Sequence, residues 1–134
     1  MTIDFASLIL RLVVAAIFCT QGFLKSFGPH DRPHGREATT RLIASHGWPH
    51  AAELALLLGL SELTFGALVG VGLLARLSTL PLALILVIAI AVFKRRSGFV
   101  GGWDWPLSVL GAVVAITVLG AGEFSVDSVL GLSL

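Results

Sequence analysis

The chain of 134 residues is poor in the residue types that carry solubility and reactivity. It has one cysteine, one methionine, no tyrosine and only 13% charged residues. The single cysteine, Cys19, excludes an intramolecular disulfide and a pair of redox cysteines acting within one chain. A formal net charge of +1, without an extended basic tract, gives no argument for nucleic-acid binding. The sequence also lacks a P-loop, a dinucleotide-binding fingerprint and a nucleophile elbow.

Hydrophobic runs fill most of the chain. Hydrophobic residues make up 56% of it, more than a soluble domain of this size could hide from water. Four runs are long enough to cross a hydrocarbon core about 30 Å thick at about 1.5 Å per residue. They cover residues 5–27, 51–74, 77–93 and 105–121. We therefore expect a single membrane domain over residues 1–134, an all-α polytopic membrane protein with a bundle of four transmembrane helices.

The first run differs from a cleaved signal peptide. No lysine or arginine precedes it, no A-x-A cleavage site follows it, and further hydrophobic runs come after it. We expect it to remain in the mature protein. The longest connection, residues 28–50, contains a helical-looking stretch over residues 36–46 that mixes charged and apolar side chains. This pattern predicts a short helix at the membrane interface between spans one and two.

Four histidines in that connection raise the question of a metal or haem site. His30 and His34, and again His46 and His50, are each four residues apart. Prolines interrupt the turns that would bring each pair to one face, and no cysteine lies nearby, so we expect no metal site. Since no predicted span contains a histidine, we expect the chain to carry no haem of its own.

The basic residues predict the orientation in the membrane. Seven of the nine follow span one or span three, and these are Lys25, Arg32, Arg36, Arg41, Lys94, Arg95 and Arg96. Loops rich in lysine and arginine stay on the cytoplasmic side of the membrane. We therefore expect four spans in the cytoplasmic (inner) membrane, with both termini on its outer side.

Two charged residues lie well inside predicted spans, away from their ends, where an unpaired charge is costly. Arg11 lies about 9 Å inside span one at 1.5 Å per residue, and Glu62 lies at the middle of span two. Span one also carries Gln21 and Lys25 towards its end. Glycines at helical spacing on the two spans predict a close approach of their backbones, and these candidate packing residues are Gly22, Gly59, Gly66 and Gly70.

We hypothesise that Arg11 and Glu62 form an ion pair across spans one and two. With Gln21 and Lys25 the pair would form a polar pocket that contacts a quinone headgroup or relays a proton. One alternative is an ion pair that only fixes the packing register of the helices. Another is an Arg11 side chain that extends along its span to reach the membrane surface.

A second polar group stands at the entry of span four, in the sequence Gly101-Gly102-Trp103-Asp104-Trp105. Tryptophan rings favour the headgroup level of the bilayer, which makes Trp103, Trp105 and Trp48 candidate interface anchors. Asp104 can cap the helix that follows. Alternatively, Asp104 lies beside Lys25 and closes a polar site between spans one and four.

These residues, taken in order, resemble the DoxX family. The resemblance covers residues 6–127 and includes the Gly70 to Arg76 exit of span two. Glutamine at position 21 stands where the family often has histidine, and aspartate at position 104 where it often has glutamate. The motifs that carry the resemblance are Arg11-Leu12, Gln21-Gly22 with Lys25 and Gly28, Gly47-Trp48-Pro49, Gly59-x-x-Glu62 and Gly101-Gly102-Trp103-Asp104.

The resemblance implies a four-helix membrane protein that occurs with redox systems. One branch of the family is a subunit of thiosulfate:quinone oxidoreductase. We expect a non-catalytic accessory subunit or scaffold, surrounded by membrane lipids, that associates with redox or membrane subunits or with copies of itself. The resemblance also allows a contact with quinone. The alternatives are a quinone-reactive oxidoreductase subunit, in which the polar residues line a lipid-accessible pocket, and a component of a small-molecule transporter or channel. We expect no intrinsic cofactor and no enzymatic activity of the chain alone.

Overall fold

The computed structural model describes residues 1–29 and 31–132; over these residues it is helical and contains no strand. Four segments are long and apolar enough to cross a membrane, namely Thr2–Ser26, Ala51–Val71, Ala75–Phe93 and Phe99–Leu119. The all-α prediction with four spans and a short helix between the first two is confirmed. The α-helices are α1 (Thr2–Ser26), α2 (Arg36–Ser45), α3 (Ala51–Val71), α4 (Ala75–Ile88), α5 (Asp104–Leu119) and α6 (Val126–Val129).

The fourth span begins earlier than the sequence predicts. A π-helical segment, Ala89–Phe93, extends α4, and a second, kinked segment, Phe99–Trp103, leads into α5. Within the second segment Val100 and Gly101 leave helical geometry, and Gly101 has a φ of 75°, which glycine adopts without steric cost. The chain therefore kinks at a glycine pair that from sequence alone is typical of a loop.

Helices α3 and α4 form a hairpin whose turn is fastened by the segment after α5. The turn passes through Gly72, with a φ of 73°. The carboxylate of Asp127 accepts hydrogen bonds from the amides of Leu74 (2.7 Å) and Ala75 (3.0 Å). A carboxylate at this position satisfies amides that the first turn of α4 leaves unpaired. The short helix α6 thus covers one end of the bundle, called the α6 end below; the opposite end, which carries α2, is the α2 end.

The four spanning segments pack as two pairs. Contact is most extensive between α1 and α3, and next between α4 and α5. The close approach of α1 and α3 depends on glycine, because a Cβ atom at Gly22 would lie 2.5 Å from the carbonyl oxygen of Gly59. A Cβ at Gly66 would lie 2.9 Å from Phe18 Cβ, and one at Gly70 would lie 2.8 Å from Ala15 Cβ. All four glycines that the sequence singles out therefore lie in this contact.

The apolar core lies between the two pairs and is built from all four spans. It consists of Val14, Phe18, Val69, Leu82, Leu86, Val109, Val113 and Ile116. Many large hydrophobic side chains point outward instead, for example Ile9, Leu84 and Val118, which are 61%, 60% and 72% exposed. An apolar exterior of this kind suits lipid rather than water. The separation into two pairs also leaves room for a cavity between them.

Candidate functional site

A cavity of about 690 Å³ occupies the α2 end of the bundle. Its size falls within the range of about 300–1,000 Å³ that is usual for small-molecule sites. All four spanning segments and α2 contribute to its walls, and most of the lining side chains are apolar. The polar lining residues are Gln21, Lys25, His34, Thr39, Ser61, Glu62 and Lys94.

A buried ion pair forms part of the cavity wall. Lys25 Nζ lies 2.8 Å from Glu62 Oε2, and the two residues are only 8% and 5% exposed. Lys25 Nζ also lies 3.4 Å from Gln21 Oε1. Gln21 and Lys25 share a face of α1 because they are four residues apart. The contact between Gly22 and Gly59 holds this face of α1 against α3, so the site depends on the packing of the two helices.

The ion pair leaves hydrogen-bonding capacity directed into the cavity. Among the described residues Glu62 Oε1 has no hydrogen-bond partner. It is not among the side-chain atoms that are both fully enclosed and without a hydrogen bond. Because Glu62 lines the cavity, this carboxylate oxygen can accept a further hydrogen bond there. Lys25 has three N–H donors, so it can donate to a ligand while it bonds to Glu62. The site thus offers both a donor and an acceptor within mostly apolar walls.

The hypothesised pair of Arg11 and Glu62 is wrong. Arg11 is fully buried at the α6 end, where Nη1 donates to the carbonyl oxygen of Gly70 at 3.1 Å and Nη2 donates to that of Phe124. The alternative in which Arg11 reaches the membrane surface is also wrong, because its side chain is enclosed. Arg11 lies 14 residues before Lys25, about 21 Å along the helix axis, so the two residues serve opposite ends of the bundle.

Asp104 acts locally rather than in the cavity. Its carboxylate accepts hydrogen bonds from the amides of Gly101 (3.1 Å) and Trp105 (2.7 Å) and so holds the turn that begins α5. The prediction that Asp104 caps the helix is wrong, because Asp104 is the first residue of α5 and the N-cap residue is Trp103, without a side-chain capping bond. The alternative in which it closes a polar site with Lys25 is wrong, since the Lys25 ammonium bonds to Glu62 and Gln21.

The three tryptophans lie near the α2 end. Trp48 packs on Phe93, with ring centroids 5.7 Å apart, and Trp103 packs edge-on against Phe99 at 4.6 Å. Trp48 and Trp105 line the cavity, and Trp105 is 51% exposed. Their role as anchors at the headgroup level stays a prediction.

Helix α2 is fastened over the cavity by a contact that the sequence analysis missed. Arg36 donates from Nε to the carbonyl oxygen of Lys25 at 3.0 Å, and from Nη2 to that of Ser26. These carbonyls belong to the last turn of α1, where intrahelical partners are lacking. The arginine at the start of the short helix is the feature of the sequence that could have indicated this contact. From this position α2 directs Thr39, Leu42 and Ile43 into the cavity.

The histidines do not form a recognisable metal site in the described part of the chain. Within residues 1–29 and 31–132, no group of three or more histidine, cysteine, aspartate or glutamate side chains is placed to hold a metal ion. His30, one member of the first histidine pair, lies outside the described residues. The expected absence of a metal stays a prediction.

Comparison with known proteins identifies relatives of this chain. The family model described as DoxX matches residues 6–95, which include most of α1 and all of α2 to α4, with Lys25 and Glu62. An uncharacterized membrane protein of Mycobacterium tuberculosis is 30% identical over 131 residues, an alignment that covers 88% of this chain and 77% of the relative. No solved structure matches the chain.

Proposed function

The chain belongs to the DoxX family, and from this premise we propose that it is a membrane-embedded accessory subunit that binds a lipid-soluble quinone for a redox partner protein. The ligand occupies the cavity at the α2 end, with its polar ring at Lys25 and Glu62. The observation that carries the proposal is the buried ion pair, whose two residues line the wall of an otherwise mostly apolar cavity.

The chemistry of the cavity suits a quinone headgroup. A quinone has two carbonyl oxygens that accept hydrogen bonds, and Lys25 and the amide of Gln21 are donors on the wall. The reduced, dihydroxy form also donates hydrogen bonds, which Glu62 Oε1 can accept. The remaining walls include Phe18, Trp48 and Trp105, whose rings pack favourably on another planar ring.

The structure of the α6 end favours a ligand-binding subunit rather than a channel. Ser7 Oγ donates to the carbonyl oxygen of Gly120 at 2.7 Å, and Arg11 and Asp127 bind backbone groups of the same region. These contacts close the bundle opposite the cavity. A pore would need a water-filled path through this end, lined by groups that stabilise the permeating ion or solute.

The assignment to a redox complex draws on the amino-acid sequence. One cysteine and no histidine within the four spans leave the chain without the side chains that usually hold a haem or an iron–sulfur cluster in the bundle. A second protein would supply the electron donor or acceptor, and the chain would hold the quinone beside it. We place the complex in a bacterial inner membrane, with the α2 end facing the cytoplasm because the basic loops lie there.

Quinone binding by the purified full chain in lipid nanodiscs tests the proposal. A benzoquinone with an alkyl tail is titrated against wild type, Glu62→Gln and Lys25→Met. Loss of a hydrogen bond to a charged group is worth about 1.5–3 kcal/mol, so we expect both variants to bind at least about tenfold more weakly. Circular dichroism and gel filtration confirm that each variant is folded.

Glu53→Gln is the matched control for that titration. Glu53 lies on the same helix as Glu62 but is exposed and outside the cavity, so its replacement should leave the quinone affinity unchanged. Failure of the wild-type protein to bind quinone would reject the proposed ligand. Equal affinities for Glu62→Gln and Glu53→Gln would reject the proposed site.

A further inference from the structure

One wall of the cavity continues to the lipid-facing surface of the bundle. Leu57 lines the cavity and is nevertheless 61% exposed. It lies five residues before Glu62 on α3, about 7.5 Å along the helix axis. Leu58 and Ser61 line the cavity between them. Helix α3 therefore presents a continuous strip that leads from the outside of the bundle to the buried carboxylate.

The facing wall belongs to α4 and its extension. Ile85 and Ile88 line the cavity, followed by Ala89 and Phe93 at the two ends of the π-helical segment. Such π-helical turns occur frequently at functional sites. The cleft between α3 and α4 is thus apolar on both sides, with Ser61 as the polar exception. At the surface of the bundle, lipid would contact the side chains on both sides of this cleft.

Access from the aqueous side at the α2 end is only partly covered, since His34 and Lys94 line the cavity and are exposed. The rings of His46 and Trp48 pack on Phe93 with centroid distances of 4.7 and 5.7 Å, which joins the segment before α3 to the end of the α4 span. Helix α2 covers the cavity beside this cluster, held by Arg36 at the end of α1. A ligand with a long apolar tail that entered on this side would have to carry the tail past exposed polar side chains, which is unfavourable, whereas one that came from the bilayer would pass Leu57.

We propose that the cavity takes its ligand sideways from the bilayer, through the cleft between α3 and α4 at Leu57, and that the tail of the bound ligand remains in this cleft. The inference rests on the proposed function and narrows its ligand to a lipid with a polar ring and a long apolar tail. The polar ring reaches Lys25 and Glu62, where its desolvation is offset by hydrogen bonds. The tail stays in surroundings that resemble the bilayer.

Photolabelling of the full chain in nanodiscs tests this route. The probe is a benzoquinone whose alkyl tail carries a diazirine, and the labelled residues are mapped by mass spectrometry. We expect labels around Leu57 on α3 and Ile88 on α4. Labels confined to α2, or to the opposite side of the bundle at Trp105, would overturn the proposal.

A bulky side chain in the opening provides a second readout. Leu57→Trp should lower both the labelling and the rate of quinone association by about tenfold, which corresponds to about 1.4 kcal/mol. Leu60→Trp is the matched control, because Leu60 is a lipid-facing leucine on the same helix, 39% exposed, that does not line the cavity. Identical behaviour of the two variants would contradict entry at Leu57.

A phospholipid with a diazirine at the end of one acyl chain separates this inference from the proposed function. If quinone does not bind but this lipid labels Leu58 and Ser61, and Leu57→Trp suppresses the labels, the lateral opening stands and the quinone is rejected. If neither probe labels the cavity, the opening is rejected as well. If quinone binds and depends on Glu62 while Leu57→Trp has no effect, the proposed function stands and the lateral route fails.

Discussion

At the scale of single residues, Lys25 and Glu62 are the pair whose separation should be most costly. Removing one partner leaves an uncompensated buried charge, and breaking such a pair typically costs about 3–5 kcal/mol. We expect Lys25→Met and Glu62→Gln each to lower the free energy of unfolding, measured by SDS titration in mixed micelles. The double variant should lose less than the sum of the two, because the second change removes a charge that is already unpaired.

Arg11→Met is the control for this comparison of single and double variants. Arg11 binds backbone carbonyls at the opposite end of the bundle, so its effect should add to that of Glu62→Gln to within about 0.5 kcal/mol. Coupling between Arg11 and Glu62, or strict additivity between Lys25 and Glu62, would contradict the ion pair seen in the structure.

These residues also show which features of the site can be predicted from the sequence. The cost of a buried charge singles out Glu62, and helical spacing places Gln21 and Lys25 on one face of the first span. The face is predictable, but the depth at which two helices meet is not, because it depends on the register of the packed bundle. For the same reason the partners of Arg11, which are the carbonyls of Gly70 in α3 and of Phe124 after α5, carry no signal that a sequence pattern could show.

At the scale of helices, the contact of α1 with α3 should depend on the absence of side chains at its glycines. A Cβ at Gly22 would lie 2.5 Å from Gly59 O and 2.5 Å from Leu63 N, both backbone atoms that cannot turn aside. We expect Gly22→Ala to separate the helices, to lower the free energy of unfolding by about 1–3 kcal/mol as overpacking does, and to weaken ligand binding at Lys25.

Gly111→Ala is the matched control for Gly22→Ala. Both glycines lie within spanning helices, but a Cβ at Gly111 meets no described atom within 4 Å. Alanine favours helix by up to about 1 kcal/mol over glycine, so this substitution should be neutral or stabilising. A comparable loss of stability in both variants, measured by the same SDS titration, would show that glycine matters here for a reason other than close packing.

The elements themselves were largely predictable because long apolar runs have few alternatives in a bilayer. The start of the fourth span is predicted too late because Gly101 and Gly102 indicate a loop. Val100 and Gly101 do leave helical geometry, but the span begins before them, at Phe99. Helix α6 was not predicted, since Val126–Val129 is too short for a periodic pattern. It is held by long-range contacts of Asp127 and Phe124, which local propensity does not encode.

At the scale of the whole molecule, the two ends of the bundle have different chemistry. The α2 end has the cavity, the ion pair and most of the basic residues, including Lys94, Arg95 and Arg96 after the third span. The α6 end is closed by backbone hydrogen bonds and carries Asp4, Glu123 and Asp127. This asymmetry predicts one orientation, with the α2 end in the cytoplasm, and therefore a redox partner that binds the chain from that side.

Cysteine accessibility in intact bacterial cells measures this orientation. In a Cys19→Ala background, Ser97→Cys and Ser128→Cys place single thiols at exposed serines of the α2 and α6 ends. A membrane-impermeant maleimide should label the Ser128→Cys variant in intact cells and the Ser97→Cys variant only after the membrane is permeabilised. The reverse pattern would leave the fold intact but move the predicted partner to the outer side. One span, Phe99–Leu119, separates the two positions, so they should lie on opposite sides of the membrane. Labelling of both variants in intact cells would therefore contradict the four-span topology itself.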